Sequence, residues 1–223
     1  IVTNARHTKS INDFVLKVNA THDNLISFGS LHPDYENNIE EIKRLKENGI
    51  LGIKFHPVYQ NCPVDSEKFI KLINLVVDNG MYALFHAGDD PGYPGNDYSS
   101  IDRIINMLNQ VHDETRIILA HLGGLFRFEE AYEMIAGRNV YLDTAMCFDK
   151  CYYKDGSTRD LIDEELFYKF IERHGSKKIL FGTDNPWTKA DKMVEYVNNL
   201  KISKEDKENI LYKNACRILN IEY

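Results

Sequence analysis

Three apolar runs in this chain each end on one polar side chain able to bind a metal. Residues 81–88 deliver His86, residues 116–124 deliver His121, and residues 178–187 deliver Asp184. Two imidazoles and a carboxylate are donor types of a catalytic zinc site, which takes about three protein ligands and keeps one position open for water. Such an ion draws the pKa of water down toward about 7, so hydroxide becomes available near neutrality. In this reading His86, His121 and Asp184 are the metal ligands, Asp184 also accepts a proton from the attacking water, and His121 orients that water or polarises the substrate oxygen. For each residue taken alone, a hydrogen-bonded core histidine or an Asx-turn carboxylate is the plainer alternative.

A fourth run, residues 50–56, adds Lys54 and His56 two positions apart, so both share one face of the strand. A lysine facing inward from a central strand needs a negative partner. Lys54 therefore suits a substrate carboxylate, an internal carboxylate such as Asp143, or, when modified, a bridge between two metals. His56 is a substrate contact or a strand-end residue bonded to a loop. Trp187, the only tryptophan, follows Asp184 by three positions and reads as a wall of the substrate pocket or as ordinary packing. The loops at residues 89–97 and 147–156 follow strands and should overhang the site, with Tyr93, Tyr152 and Tyr153 shaping the substrate. Cys147 and Cys151 read as free thiols rather than ligands.

Positioning these side chains requires strands that end together. The periodicity predicts strands at residues 25–31, 50–56, 81–88, 116–124, 139–143 and 178–184. Helices are predicted at residues 8–19, 37–48, 66–79, 99–111, 126–135, 160–174, 189–199, 203–211 and 214–219. Thr8 is the expected N-cap of the first, Gly49, Gly80 and Gly175 are expected to terminate three others, and Ser203 to Asp206 outlines a capping box. Strict alternation of strand and helix implies a parallel sheet with right-handed crossovers and chemistry at the carboxyl ends of the strands. No linker divides the 223 residues, so a single domain is expected. No glycine-rich phosphate-binding turn supports a nucleotide site.

Composition narrows the partners. With 27 Lys and Arg against 34 Asp and Glu, the net charge of −7 argues against a nucleic-acid surface and for a small-molecule substrate. No run approaches the roughly 20 apolar residues of a membrane span. Four scattered cysteines fit reduced thiols in a cytoplasmic protein.

Taken in order, the segments at residues 52–57, 85–88, 120–124 and 180–186, with the closing helical residues 208–219, resemble the metal-dependent amidohydrolases. The likeness is to the subgroup that includes aminocarboxymuconate-semialdehyde decarboxylase and related hydrolases and decarboxylases. The resemblance implies a TIM-type (β/α)8 barrel binding a divalent metal, with zinc expected. It matches His86 and Asp184 to metal ligands from the fifth and eighth strands. It matches His121 to the sixth-strand histidine, which binds a second metal or acts on substrate or water. The implied activity is hydrolysis of an ester, lactone or amide of a small acid, or non-oxidative decarboxylation of an unsaturated or aromatic acid. That family's first strand carries an H-x-H pair supplying two more ligands, and this sequence contains none. The chain also opens without methionine at what reads as the end of a strand, so a barrel incomplete at its N-terminus is expected. A barrel truly lacking that strand would be a non-catalytic binding partner, with exposed edges that favour a homodimer.

Overall fold

The computed structural model describes residues 1–222, and they divide into two compact units. The first comprises Ile1–His86 and Asp90–Ile118; the second comprises Ala87–Asp89 and the chain from Leu119 onward.

In the first unit, helices α1 (Thr8–Thr21) and α2 (Asn38–Glu47) precede strand β1 (Gly52–Phe55), helix α3 (Glu67–Asp78), strand β2 (Tyr82–Phe85) and helix α4 (Ile101–Leu108). Strand β1 runs parallel to β2 in the register Gly52 to Tyr82 through Phe55 to Phe85. Alternation does the sorting. Ile53, Phe55, Ala83 and Phe85 are fully buried, and the Phe55 ring stacks on Phe85 at 5.1 Å and meets Phe69 of α3 edge-on at 5.3 Å. This aromatic cluster fastens helix to sheet, and the intervening residues Lys54, His56, Leu84 and His86 take the other face. Gly49 and Gly80 have φ of +80° and +74°, the left-handed backbone expected just past α2 and α3.

Two expectations fail in this unit. Residues 25–31 form no strand beyond a single parallel bridge of Gly29 with Ile53, and Leu25 and Ile26 are each 47% exposed. The N-cap of α1 is His7, not Thr8, whose hydroxyl instead donates to the Ala5 carbonyl at 2.8 Å. A buried substitute for the missing ladder ties this region down. The Asn12 side chain accepts from Ser30 N and donates to Ser30 O and to Glu41, so α1, α2 and the extended segment share one satisfied polar group.

Strand β3 (Ile117–Leu119) leads into the second unit, which continues with α5 (Phe128–Met134), β4 (Tyr141–Asp143), β5 (Lys150–Tyr152), β6 (Thr158–Asp160), α6 (Glu164–His174), β7 (Ile179–Leu180), α7 (Ala190–Asn199), α8 (Lys204–Glu208) and α9 (Asn214–Leu219). Strand β4 is parallel to β7, with Leu142 opposite Ile179 and Asp143 opposite Leu180. The segment expected as a loop at residues 145–156 carries β5, which pairs antiparallel with β6. Asp160, expected to begin a helix, ends that hairpin; α6 starts after Asp163, whose carboxylate accepts from the Glu165 and Leu166 amides. Ser203 caps α8 by accepting from Asp206 N at 3.1 Å, as the capping outline predicts.

Parallel pairing and strand–helix alternation put the chain in the TIM-type barrel class. Among the described residues, no helix is long and apolar enough to cross a membrane.

Candidate functional site

The β1–β2 register brings the first functional pair together. Because Phe55 lies opposite Phe85, the next residues His56 and His86 arrive side by side, and the ladder extends one bond further through His86 N to Phe55 O at 3.2 Å. Their imidazoles stack with centroids 4.2 Å apart, and Tyr59 covers the other face of His56 at 3.7 Å. Tyr93 leans on Tyr59 with ring centroids 5.6 Å apart. The backbone of His56 is held by Gln60, whose Oε1 accepts the His56 amide while its Nε2 donates to Val2 O and Leu31 O.

Asp90 completes the group. Its Oδ1 accepts the Gly92 amide at 2.7 Å in a tight turn, and its Oδ2 lies 3.4 Å from Nε2 of His56. His56, His86 and Asp90 are 6%, 4% and 5% exposed, and one donor atom from each lies within 4.8 Å of the others. A tetrahedral ion with bonds of about 2.0–2.1 Å separates its ligand atoms by about 3.3 Å. The donors therefore fit a divalent ion in kind and spacing, although parallel rings hold their lone pairs in separate planes, so one ring must turn for both to meet a single ion. The sequence reading missed Asp90 and Gln60. Asp90 had a visible signal, a carboxylate four residues past a strand-end histidine in a loop read only as a lid.

Lys54 is half-buried on the same strand, and its carbonyl accepts the Ser30 hydroxyl at 2.9 Å.

In the second unit His121 follows β3 after Ala120 and is 2% exposed. It opens a single turn, His121–Gly123, and both His121 (φ +59°) and Leu122 (φ +51°) adopt left-handed backbone. Each such residue costs on the order of 1–3 kcal/mol and persists only where its surroundings hold it. The Nδ1 atom lies 2.7 Å from the Ala145 carbonyl, which can only accept, so Nδ1 carries the hydrogen, and in the neutral ring the lone pair belongs to Nε2. Cys147 Sγ points at the same carbonyl from 3.4 Å, and burial pushes its thiol pKa well up, so it remains a protonated donor.

Asp184 lies beyond β7, exposed and with φ of +54°, and its carbonyl accepts the Trp187 amide at 2.9 Å across the Asn185-Pro186 cis bond. Trp187 is 70% exposed. The structure thus unites His56 with His86, and places His121 and Asp184 each at a turn beyond a strand of the second unit. A cavity of about 200 Å³ beside the β5–β6 hairpin is lined by Phe126, Glu129, Arg159 and Asp163 among others, and by none of the expected site residues.

No curated protein sequence matches the chain. Among solved structures, it is similar to a 5-carboxyvanillate decarboxylase from Novosphingobium aromaticivorans holding manganese and 4-hydroxy-3-methoxy-5-nitrobenzoic acid, with a TM-score of 0.72, 15% identity, and coverage of 97% of this chain and 70% of that one. It is similar to a dihydroxybenzoic acid decarboxylase from a Polaromonas species with bound manganese and the inhibitor 2-nitroresorcinol, at a TM-score of 0.67, 18% identity, and coverage of 97% and 75%. A probable 2-pyrone-4,6-dicarboxylic acid hydrolase from Acinetobacter baumannii with bound citric acid follows at a TM-score of 0.67, 15% identity, and coverage of 94% and 79%. These likenesses carry the fold. The family model described as amidohydrolase matches residues 2–221, essentially the whole chain, and the protein belongs to that amidohydrolase family.

Proposed function

We propose that the chain is a metal-dependent enzyme that hydrolyses an ester, lactone or amide of a small organic acid. The observation that carries this reading is the buried trio of His56, His86 and Asp90 at the carboxyl ends of β1 and β2, in a chain of the amidohydrolase family. When bound, a divalent ion supplies Lewis-acid polarisation of a substrate oxygen. Zinc suits these donors, and manganese accompanies two of the decarboxylases of similar fold.

The chain's own groups do the rest. Lys54 provides an ammonium for the acid's carboxylate. His121 accepts a proton at Nε2, the nitrogen that holds the lone pair. The family resemblance gives Asp184 the role of proton acceptor and of a residue that would ligate a bound metal. Trp187 is assigned to substrate contact. Free thiols at Cys62, Cys147, Cys151 and Cys216 fit a reducing, cytoplasmic setting.

Decarboxylation is the second reading, and one feature favours it. The column of Tyr59, His56 and His86, with Tyr93 against it, surrounds the donors with aromatic rings, a setting that suits an aromatic or unsaturated acid. A panel of aryl carboxylic acids and unsaturated lactones, incubated with protein loaded with zinc or with manganese, separates the readings. Lactone opening without carbon dioxide supports hydrolysis; carbon dioxide release from aryl acids supports decarboxylation. Turnover of neither class with either metal contradicts both and leaves the barrel as a non-catalytic binding partner.

A further inference from the structure

We infer that Asp143 is a positioning residue that fixes the backbone and, through Ala145, the ring tautomer of His121. A single carboxylate oxygen, Oδ1 of Asp143, accepts both the His121 amide and the Ala145 amide, each at 2.9 Å. The Ala145 carbonyl in turn accepts the His121 Nδ1 hydrogen at 2.7 Å. The main chain and the imidazole of His121 are therefore both bonded to one three-residue stretch at the end of β4. Two consecutive non-glycine residues with positive φ require such a restraint, and a charged acceptor shared by two amides is the strongest local means of supplying it.

The stretch is itself buttressed. Thr144 is fully buried; its hydroxyl donates to Gly182 O at 3.2 Å and accepts from Gly182 N at 3.0 Å. A Cβ on Gly182 would lie 3.0 Å from Ala145 N and 3.2 Å from Cγ of Asp143, so a side chain there would push the clamp aside by a few tenths of an ångström. Asp143 thus anchors His121 directly, and the same three residues brace the backbone two positions before Asp184. The consequence is chemical: the neutral His121 ring carries its hydrogen on Nδ1 and its lone pair on Nε2.

The catalytic meaning rests on the function proposed above, but the test does not. Long-range proton–nitrogen NMR spectra of the full chain labelled with ¹⁵N-histidine, assigned with His121→Gln, should show His121 protonated at Nδ1 and unprotonated at Nε2. Asp143→Asn retains an acceptor oxygen and should keep that signature, with the His121 amide exchanging with solvent about tenfold faster because its acceptor is neutral. Asp143→Ala should lose the signature to a tautomer mixture. A neutral wild-type ring with its hydrogen on Nε2, unchanged amide exchange in Asp143→Asn, or a folded Asp143→Ala with the wild-type signature overturns the inference. The first two readouts decide the matter even if the alanine variant does not fold, and neither depends on turnover.

Discussion

The imidazoles of His56 and His86 lie face to face, 4.2 Å between centroids and 5° from parallel, because the parallel register places Phe55 opposite Phe85 one residue earlier. The relationship separates packing from ligation at His56. A His56→Phe variant keeps a flat ring in the column with Tyr59 but offers no nitrogen. It should fold with stability close to wild type and lose metal affinity by more than the roughly 10–100-fold that removal of an outer-shell partner costs. Calorimetric metal titration beside urea unfolding checks both halves; unchanged affinity would make His56 a packing residue only.

The sheet face opposite that column is governed by Phe55, fully buried between Phe69 and Phe85. Phe55→Ala should cost about 3–5 kcal/mol by removing the centre of the cluster. Phe14→Ala, on a ring 66% exposed, should fall within about 0.5 kcal/mol of wild type. Urea denaturation of the two variants measures the contrast.

Gly88 combines a φ of +92° with a very tight approach, since an added Cβ would sit 2.2 Å from Leu125 N and 2.5 Å from Leu125 O. Those two atoms bond to Ala87 O and Asp89 N, so the bridge cannot move aside without breaking. Gly88→Ala should therefore destabilise by at least about 2 kcal/mol, with strain and overpacking both contributing. Thermal unfolding gives the value.

Acid sensitivity should centre on His174. Burial, and secondarily the Lys178 charge, lowers its pKa from 6.5 to about 4, and its Nδ1 accepts the Gly137 amide at 3.1 Å. A depressed folded pKa means that the unfolded chain takes up the proton first. The neutral ring's contribution is thus complete above pH 6.5 and is lost as pH falls toward about 4, by up to about 3 kcal/mol. His174→Gln should remove that part of the pH dependence, and denaturation of both proteins at pH 7 and pH 4.5 compares them.

Much of this architecture was legible in the sequence, because long amphipathic helices ended by Gly49, Gly80 and Gly175 leave little choice of period or boundary. Strand lengths were less legible. Residues 25–31 have strand composition, yet their backbone is satisfied largely by side chains, Asn12 for Ser30 and Asn19 for Ser27, which no periodicity reveals. The β5–β6 hairpin lay hidden in a polar, glycine-containing stretch without alternation. At the site, strand-end histidines stood out because an imidazole after an apolar run is conspicuous. Asp90 did not, and Asp143 stood out only as a partner for Lys54, since an aspartate in a loop or at a strand end is ordinary until register and turn geometry show which atoms it meets.

The proposed function stands on buried imidazole and carboxylate donors around His86 that would hold a divalent ion. Titration of metal-stripped protein with manganese and with zinc, in wild type, His86→Ala and Asp90→Asn, tests it most directly. Wild type should bind at least one of the two ions saturably, with binding lost in His86→Ala and weakened in Asp90→Asn. Wild-type affinity retained in His86→Ala, or no binding by folded wild-type protein, would contradict it.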